Sequence, residues 1–475
     1  MRPFFFPGLS ILTAFWFLCA PAMAQEIRPT IGVDLEAIGQ VRALAANEIE
    51  SSSWSIGGET LDRDYAVFAN YADHLGPLGA KGIRLQGGWA KTETSQGVYE
   101  WQWLDDIVDG ASALGVKPWI QLSYGNPAYP GGGDYGLGGG LPTSPDALAA
   151  WDRWVEAIVD RYGDRVDQWE VWNEPDLNHT DTAGAADYAA LFIRTARIVR
   201  RVQPDAGVYA LALADDVDYA RAFFDEVAAR EQLHLIDAVT FHSYPDNPDS
   251  TEIVDQLRRH IAEVGGDFDV RQGETGATSG YQDYFALQGR HMTETIQAKW
   301  NLRRMLAHHA KSVPFNLFTM ADLHYQWQKV EMNYKGLLAT NADKSIAYRK
   351  PAYRAAQSVF SVFDDRLKPV ALPSYKSTSL RSLNVDAYGQ DGKASVIAYW
   401  FFDAPPDDTT GVTYADLRLE GVAFDTPVLV DLRTGIVYGV PEQSWRREDA
   451  AVVFHLPMYD SPMLLAERDA IPVLE

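Results

Sequence analysis

The stretch Val166-Asp167-Gln168-Trp169-Glu170-Val171-Trp172-Asn173-Glu174-Pro175-Asp176 begins as a buried strand and breaks at a proline. Aromatic and β-branched residues favour extended backbone. Pro175 ends it, because proline fixes its own φ and has no N–H to donate. Asn173 and Glu174 are thereby expected where a strand emerges into a loop. An isolated Asn-Glu-Pro reads equally well as an ordinary carboxylate at a strand end; the aromatic strand in front of it favours a functional site.

Outward from this stretch, residues 52–363 alternate short β-rich runs with amphipathic helical patterns, the mark of a parallel sheet joined by crossover helices. The predicted strands are Ser53–Gly57, Gly82–Gln86, Lys117–Ser123, Val166–Trp172, Gly207–Leu213, Ile236–His242, Phe268–Gly273 and Phe315–Met320, eight in all. Between them lie helical patterns such as Asp187–Val202, where Tyr188, Leu191, Phe192, Thr195, Ile198, Val199 and Val202 fall on one face. Eight such units close into an α/β fold of the (β/α)8 TIM-barrel class, whose functional groups come from the C-terminal ends of the strands.

Beyond Phe363 the helical period disappears. Alternating runs at Lys393–Phe402, Val428–Leu432 and Val452–Leu456 are divided by turn signals such as Asp391-Gly392 and Thr434-Gly435, which predicts a C-terminal antiparallel β-sandwich over residues 366–475. Residues 51–365 are then the barrel, and residues 25–50 are expected to lend a strand to the sandwich. The loop after the third strand carries seven glycines between Pro130 and Pro142. Its length suits a cover over the site or a solvated excursion.

Residues 1–24 have the layout of a secretory signal peptide: Arg2, an apolar run from Phe4 to Leu18, then Ala22, Met23 and Ala24. The run is short for a membrane span, so export to the periplasm or beyond is expected, without stable membrane insertion once the leader is removed. The one cysteine, Cys19, lies inside this segment, in a context unlike a lipid-attachment site. The mature chain therefore has no thiol for disulfides, nucleophilic attack or metal binding, and its stability must come from an ample core. The formal charge of −24 repels phosphate backbones and argues against nucleic-acid partners. None of the ten histidines shows metal-ligand spacing, and no phosphate loop or dinucleotide fingerprint is present, so no metal or cofactor is expected.

A second carboxylate closes the seventh strand, in Val270-Arg271-Gln272-Gly273-Glu274-Thr275-Gly276. Strands four and seven face each other across a barrel mouth. Two carboxyl groups over one sugar can divide the labour, one protonated to donate to the leaving oxygen and one ionised to attack the anomeric carbon. The order of these motifs, Trp172-Asn173-Glu174-Pro175 followed by a glutamate after strand seven, resembles the clan A glycoside hydrolases, and within them family 39 and its relatives, over most of the barrel. The resemblance implies that Glu174 is the acid/base and Glu274 the nucleophile of a retaining glycosidase acting on an oligo- or polysaccharide. It also implies that Asn173 binds the hydroxyl beside the anomeric carbon. Arg84 of Gly82-Ile83-Arg84-Leu85-Gln86 matches the clan's strand-two arginine, and His242 and Tyr244 of Phe241-His242-Ser243-Tyr244-Pro245 match its strand-six pair.

Physical roles accompany the resemblance. Arg84 or the Tyr244 hydroxyl beside Glu274 would hold its carboxylate ionised, whereas burial of Glu174 and repulsion from Glu274 would raise the former's pKa. In Phe318-Thr319-Met320-Ala321-Asp322 a phenyl ring stands where family 39 has tryptophan, and Thr275-Gly276 replaces the aromatic residue that usually follows the nucleophile. These departures touch the substrate rather than the mechanism, and β-xylosidase activity is not carried over with the fold. Trp89, Tyr124, Asn126 and Tyr129 follow strands two and three and either line the cleft or pack. Glu59 and Glu93 bind sugar hydroxyls or face water. A catalytically silent carbohydrate-binding barrel is the alternative, and it would have lost or misdirected one of the two carboxylates.

Overall fold

The computed structural model describes residues 32–137, 139–177, 183–326 and 328–474. The expected leader and Cys19 lie outside the described residues. Eight parallel strands close into a barrel: β1 (Trp54–Gly57), β2 (Gly82–Gln86), β3 (Lys117–Leu122), β4 (Gln168–Val171), β5 (Gly207–Leu213), β6 (Ala238–His242), β7 (Asp269–Thr275) and β8 (Phe315–Leu317). Each pairs with the next, and β8 returns to β1 through Trp54 opposite Phe315. These strands are buried on both faces, which explains why they read as nearly continuous apolar runs.

The crossover helices follow from capping and periodicity. Pro145–Tyr162 starts on Ser144, whose side chain accepts from the Ala147 N–H, with Pro145 in the first turn where its missing donor costs nothing. Its face of Ala150, Trp151, Trp154, Val155 and Ile158 recurs every three to four residues and is buried against the barrel.

Two features were not announced by the period of the sequence. Between β8 and the final helix Pro351–Val362, the chain forms the hairpin Leu323–Gln326/Val330–Asn333 and the pair Leu338–Thr340/Ile346–Arg349. The first of these hangs over the mouth of the barrel. The glycine-rich loop, in turn, folds back onto the end of β3 through Asn126 N–H to the Gly132 carbonyl and Gly125 N–H to the Asp134 carbonyl. Gly133 is required there: its φ is 82°, and a β-carbon would stand 2.2 Å from the Gly140 carbonyl oxygen.

The C-terminal part is a sandwich of an eight-stranded and a four-stranded antiparallel sheet. Their inner faces share a core that includes Val385, Ile397 and Tyr399 from one sheet and Leu417, Phe454 and Leu456 from the other. The strand Ala37–Val41 pairs with Ile436–Gly439 and with Val473–Leu474, so the chain enters through the sandwich before it builds the barrel.

Helix Glu294–His309 forms the seam between the two parts and carries buried cations. Lys299 Nζ lies 2.6 Å from Asp460 and 2.8 Å from the Asp407 carbonyl, while Arg303 pairs with Asp249 and donates to the Ala404 carbonyl at 2.9 Å. Losing one partner of a fully buried pair strands a charge away from water, which costs about 3–5 kcal/mol. Asp460→Ala is therefore expected to lower the unfolding free energy by about that amount, read as a shifted denaturant midpoint. A variant as stable as the parent would show the seam to be dispensable. Among the described residues no helix is long and apolar enough to cross a membrane.

Candidate active site

At the end of β4 the backbone turns sharply. Trp172 and Glu174 both take left-handed φ, 67° and 48°, a strain of about 1–3 kcal/mol each that surrounding bonds must offset. The Trp172 N–H donates to the Leu122 carbonyl and the Glu174 N–H to the Ala212 carbonyl, both at 3.0 Å. Asp176 then clamps the loop after β5 by accepting from the N–H groups of Ala214, Asp215 and Asp216. This zigzag turns the side chains of Asn173 and Glu174 into the mouth.

Glu274 arrives from the end of β7, opposite. One carboxylate oxygen of Glu174, one of Glu274 and a ring nitrogen of His242 all lie within 4.8 Å of one another. His242 Nδ1 is 2.8 Å from Glu174 Oε1 and 3.6 Å from Glu274 Oε2. Glu274 is gripped from two sides: the Tyr244 hydroxyl donates to Oε1 at 2.7 Å, and Arg84 Nη1 donates to Oε2 at 3.1 Å. The triangle has the ligand types of a cation site. Arg84 already neutralises one corner of it, and His242 touches both carboxyl groups.

Arg84 is fully buried and is the hub. It donates to Glu59 at 2.9 Å, to Glu170 at 2.9 and 2.6 Å and to Asn173 Oδ1 at 3.1 Å. Gln121 ties Glu170 to Asn173 at 2.9 and 2.8 Å, and Thr240 donates to the other Glu170 oxygen. A single guanidinium shared by Glu59, Glu170 and Glu274 cannot offset three buried negative charges. Accordingly Glu59 is pushed up to about 8, chiefly by burial and further by the charge of Glu274, against the pull of Arg84.

Glu174 is also pushed up to about 8. Burial is the main cause, and the repulsion that adds to it comes from Asp176 and Asp215 rather than, as the sequence suggested, from Glu274. Burial drives His242 down to about 4, so its ring is neutral at pH 7.

Three hollows adjoin at this centre. A narrow one of about 30 Å³ is lined by Glu59, Asn173, Glu174, Glu274 and Phe318, among others. Leu137 of the glycine-rich loop lines it too, so the loop does lie over the site. A second hollow of about 480 Å³ extends past Glu174 along Leu177, Ala214 and Asp215, with Tyr244, Phe285, Asn333 and Lys335 on its other walls. A third, of about 610 Å³, opens beyond Arg63 and Tyr124 toward the loops after β1 to β3. Three residues that line the narrow hollow carry buried polar atoms without a hydrogen-bond partner among the described residues: Glu59 Oε2, Thr60 Oγ1 and the Tyr124 hydroxyl.

Arg84, Asn173, Glu174, His242, Tyr244, Glu274, Phe318 and Tyr124 thus converge on one place. Asn126 lines the third hollow, but its amide is spent on the Glu93 carbonyl and the Ala128 N–H. Trp89 requires correction: it is fully buried, packed against Trp151, Trp154 and Tyr129 with ring centroids 5.4–6.0 Å apart, and lies under the site rather than in it. The cause is local. The chain after β2 enters the short helix Trp89–Thr92, which turns this indole inward. Glu93 is likewise structural, accepting from Trp89 Nε1, the Gly97 N–H and the Tyr129 hydroxyl.

Comparison with known proteins agrees with this geometry. A family model described as glycosyl hydrolases family 39 matches residues 87–366. A β-xylosidase of Geobacillus stearothermophilus is 31% identical over 204 residues, 38% of this chain and 40% of that protein. One of Caldicellulosiruptor saccharolyticus is 29% identical over 154 residues, 30% of each. The matches therefore span about two-fifths or less of those relatives. Among solved structures, a family 39 glycoside hydrolase from Bacteroides cellulosilyticus superposes with a TM-score of 0.65 at 21% identity, covering 90% of this chain and 83% of the other. A β-xylosidase from Caulobacter crescentus gives 0.56 at 16%, covering 91% and 98%; at such identities the likeness is one of fold. The family match takes in more than half of the chain, from the end of β2 through the last barrel helix, and with it both facing glutamates: the chain belongs to glycoside hydrolase family 39.

Proposed function

We propose that the protein is an exported retaining glycoside hydrolase that cleaves β-linked O-glycosides by double displacement, with Glu174 as acid/base and Glu274 as nucleophile. The observation that carries this reading is the approach of the two carboxyl groups to within 4.8 Å, nearer the spacing of about 5–5.5 Å that serves retention than the roughly 6.5–9.5 Å that leaves room for an attacking water. Export rests on the layout of residues 1–24 alone.

In the first step a Glu274 oxygen bonds to the anomeric carbon as the glycosidic C–O bond breaks, and Glu174 gives its proton to the departing oxygen. In the second, a water gives a proton to the Glu174 carboxylate while its oxygen bonds to the same carbon and releases Glu274. The environments suit these roles. Glu174 is kept protonated by burial and acidic neighbours, and Glu274 is fixed in place by hydrogen bonds from Arg84 and Tyr244. His242, neutral and 2.8 Å from Glu174 Oε1 through Nδ1, holds that carboxyl group in place by a hydrogen bond whose direction follows its tautomer. A silent binding barrel would not orient both carboxyl groups toward one point. Leu137 of the glycine-rich loop lines both the narrow hollow and the larger one beside it, so it stands at the wall of the space where the sugar would bind.

The relatives named β-xylosidases make aryl β-xylosides the first probes, followed by other aryl β-glycosides. NMR of the nascent product is expected to show the β-anomer first; the α-anomer first would overturn the reading. The pH profile supplies a second test. With a leaving group that needs protonation, kcat/KM is expected to fall as pH rises through about 8, because Glu174 then ionises and has no proton to give. A dinitrophenyl glycoside should lack this alkaline limb. An identical limb for both substrates would assign the ionisation to another group.

A further inference from the structure

We infer that the hollow of about 610 Å³ beyond Arg63 and Tyr124 is a distal sugar-binding site, holding the part of a neutral β-linked polysaccharide that lies on the far side of the cut ring from the leaving group. This rests on the assignment of Glu174 and Glu274 above.

The first support is layout. The acid must stand beside the departing oxygen, so the leaving group lies in the hollow that runs past Glu174 to Leu177 and Asp215. Asn173, Gln86 and Glu59 line the narrow hollow only, so the ring being cut sits there. The third hollow opens on the remaining side, and the narrow hollow shares Arg63 and Tyr124 with it. Space on both sides of the cut is the requirement for cutting within a chain. A pocket that ends at the cut ring releases single sugars.

The second support is the chemistry of the walls. Tyr124 is 2% exposed, lines both hollows and has a hydroxyl without a partner among the described residues. Tyr65 and Tyr135 supply further flat amphipathic rings of the kind that lie against the C–H faces of sugars. The ionic groups are already matched: Arg63 pairs with Asp62 at 3.3 Å and stacks 4.7 Å over the Tyr124 ring, and Lys91 pairs with Asp64 at 2.5 Å. Compensated charges, in a chain of net charge −24, favour a neutral ligand over an anionic one. The volume falls within the roughly 300–1,000 Å³ of small-molecule sites.

The test uses the full chain with Glu274→Gln to prevent turnover, and calorimetric binding of xylohexaose, cellohexaose and mannohexaose alongside the corresponding disaccharides. At least one hexaose is expected to bind about tenfold more tightly than its disaccharide. Ala90→Trp, which fills the hollow from the short helix after β2, should abolish that gain. Tyr135→Ala, on an exposed loop where folding is not at stake, should reduce it several-fold and decides the matter if the tryptophan variant does not fold. The unsubstituted protein should release di- to tetrasaccharides first from the hexaose that it binds. No gain with length for any of the three sugars, a gain that survives both substitutions, or single sugars as the first products would overturn the inference. A length gain that the two substitutions remove, in a protein whose Glu274→Ala form still turns over, would leave the distal site standing and remove the catalytic assignment.

Discussion

Replacing Glu274 with alanine is expected to reduce turnover of every glycoside, whatever its leaving group, by about 10⁵-fold or more, because the first covalent bond of the mechanism can no longer form. Three features make the effect general. The carboxylate lies at the end of β7 and, with Glu174 and His242, forms a cluster whose ligand atoms all lie within 4.8 Å of one another. It is held by Tyr244 at 2.7 Å and Arg84 at 3.1 Å, so its removal also takes this acceptor from the Tyr244 hydroxyl, while Arg84 keeps Glu59, Glu170 and Asn173. Finally, no neighbouring carboxyl group can take over, since Glu59 and Glu170 are tied to Arg84. Azide is small enough to occupy the vacated position and attack an activated β-glycoside from the nucleophile's face, which would yield an α-glycosyl azide. Residual turnover within tenfold of the parent, measured with a dinitrophenyl glycoside, would show that Glu274 is not the nucleophile.

The sequence and the structure agree where a residue's surroundings are dictated by its own strand. Parallel barrel strands are buried on both faces, so each appears as an apolar run, and a polar residue at its end is conspicuous; Glu174 and Glu274 were legible for that reason. Glu170, Gln121 and Thr240 had a weaker signal of the same kind, a polar residue within an apolar strand, and were overlooked although they orient Arg84 and Asn173. What was not legible depends on chain that leaves its strand and returns. Trp89 and Glu93 follow β2 as candidate cleft residues should, but a helix of four residues turns them into the packing beneath. Tyr325, Asn333 and Lys335 reach the site from, or just beyond, a hairpin that carries no hydrophobic period distinguishing it from a loop. Lys335 illustrates the cost of that blindness. It is 1% exposed on the wall of the leaving-group hollow, with its ammonium 2.9 Å from the Ala286 carbonyl, and burial pushes its pKa down to about 7. Likewise, the source of repulsion on Glu174 was misplaced because Asp176 and Asp215 are brought beside it by a turn and by the loop after β5.

Glu174→Ala is expected to behave differently from the nucleophile variant, and the difference is what identifies an acid/base. Without its proton donor the first step slows by about 10²–10⁴-fold for substrates whose leaving oxygen must be protonated. A dinitrophenolate leaves unaided, so with that substrate the first step should survive nearly intact. The glycosyl-enzyme then accumulates, because no base remains to take the proton of the attacking water. A burst of dinitrophenolate equal to the enzyme concentration, followed by a slow steady state, is the expected trace. Azide needs no base and fits the space that Glu174 leaves beside His242 and Asn173. It should therefore restore the steady state and give a β-glycosyl azide, the opposite anomer to that expected from the Glu274 variant. The alkaline limb at about pH 8 should vanish as well, since the group that titrates there is gone. Equal loss on both classes of leaving group, with no burst and no azide product, would mean that Glu174 shapes the site without moving a proton.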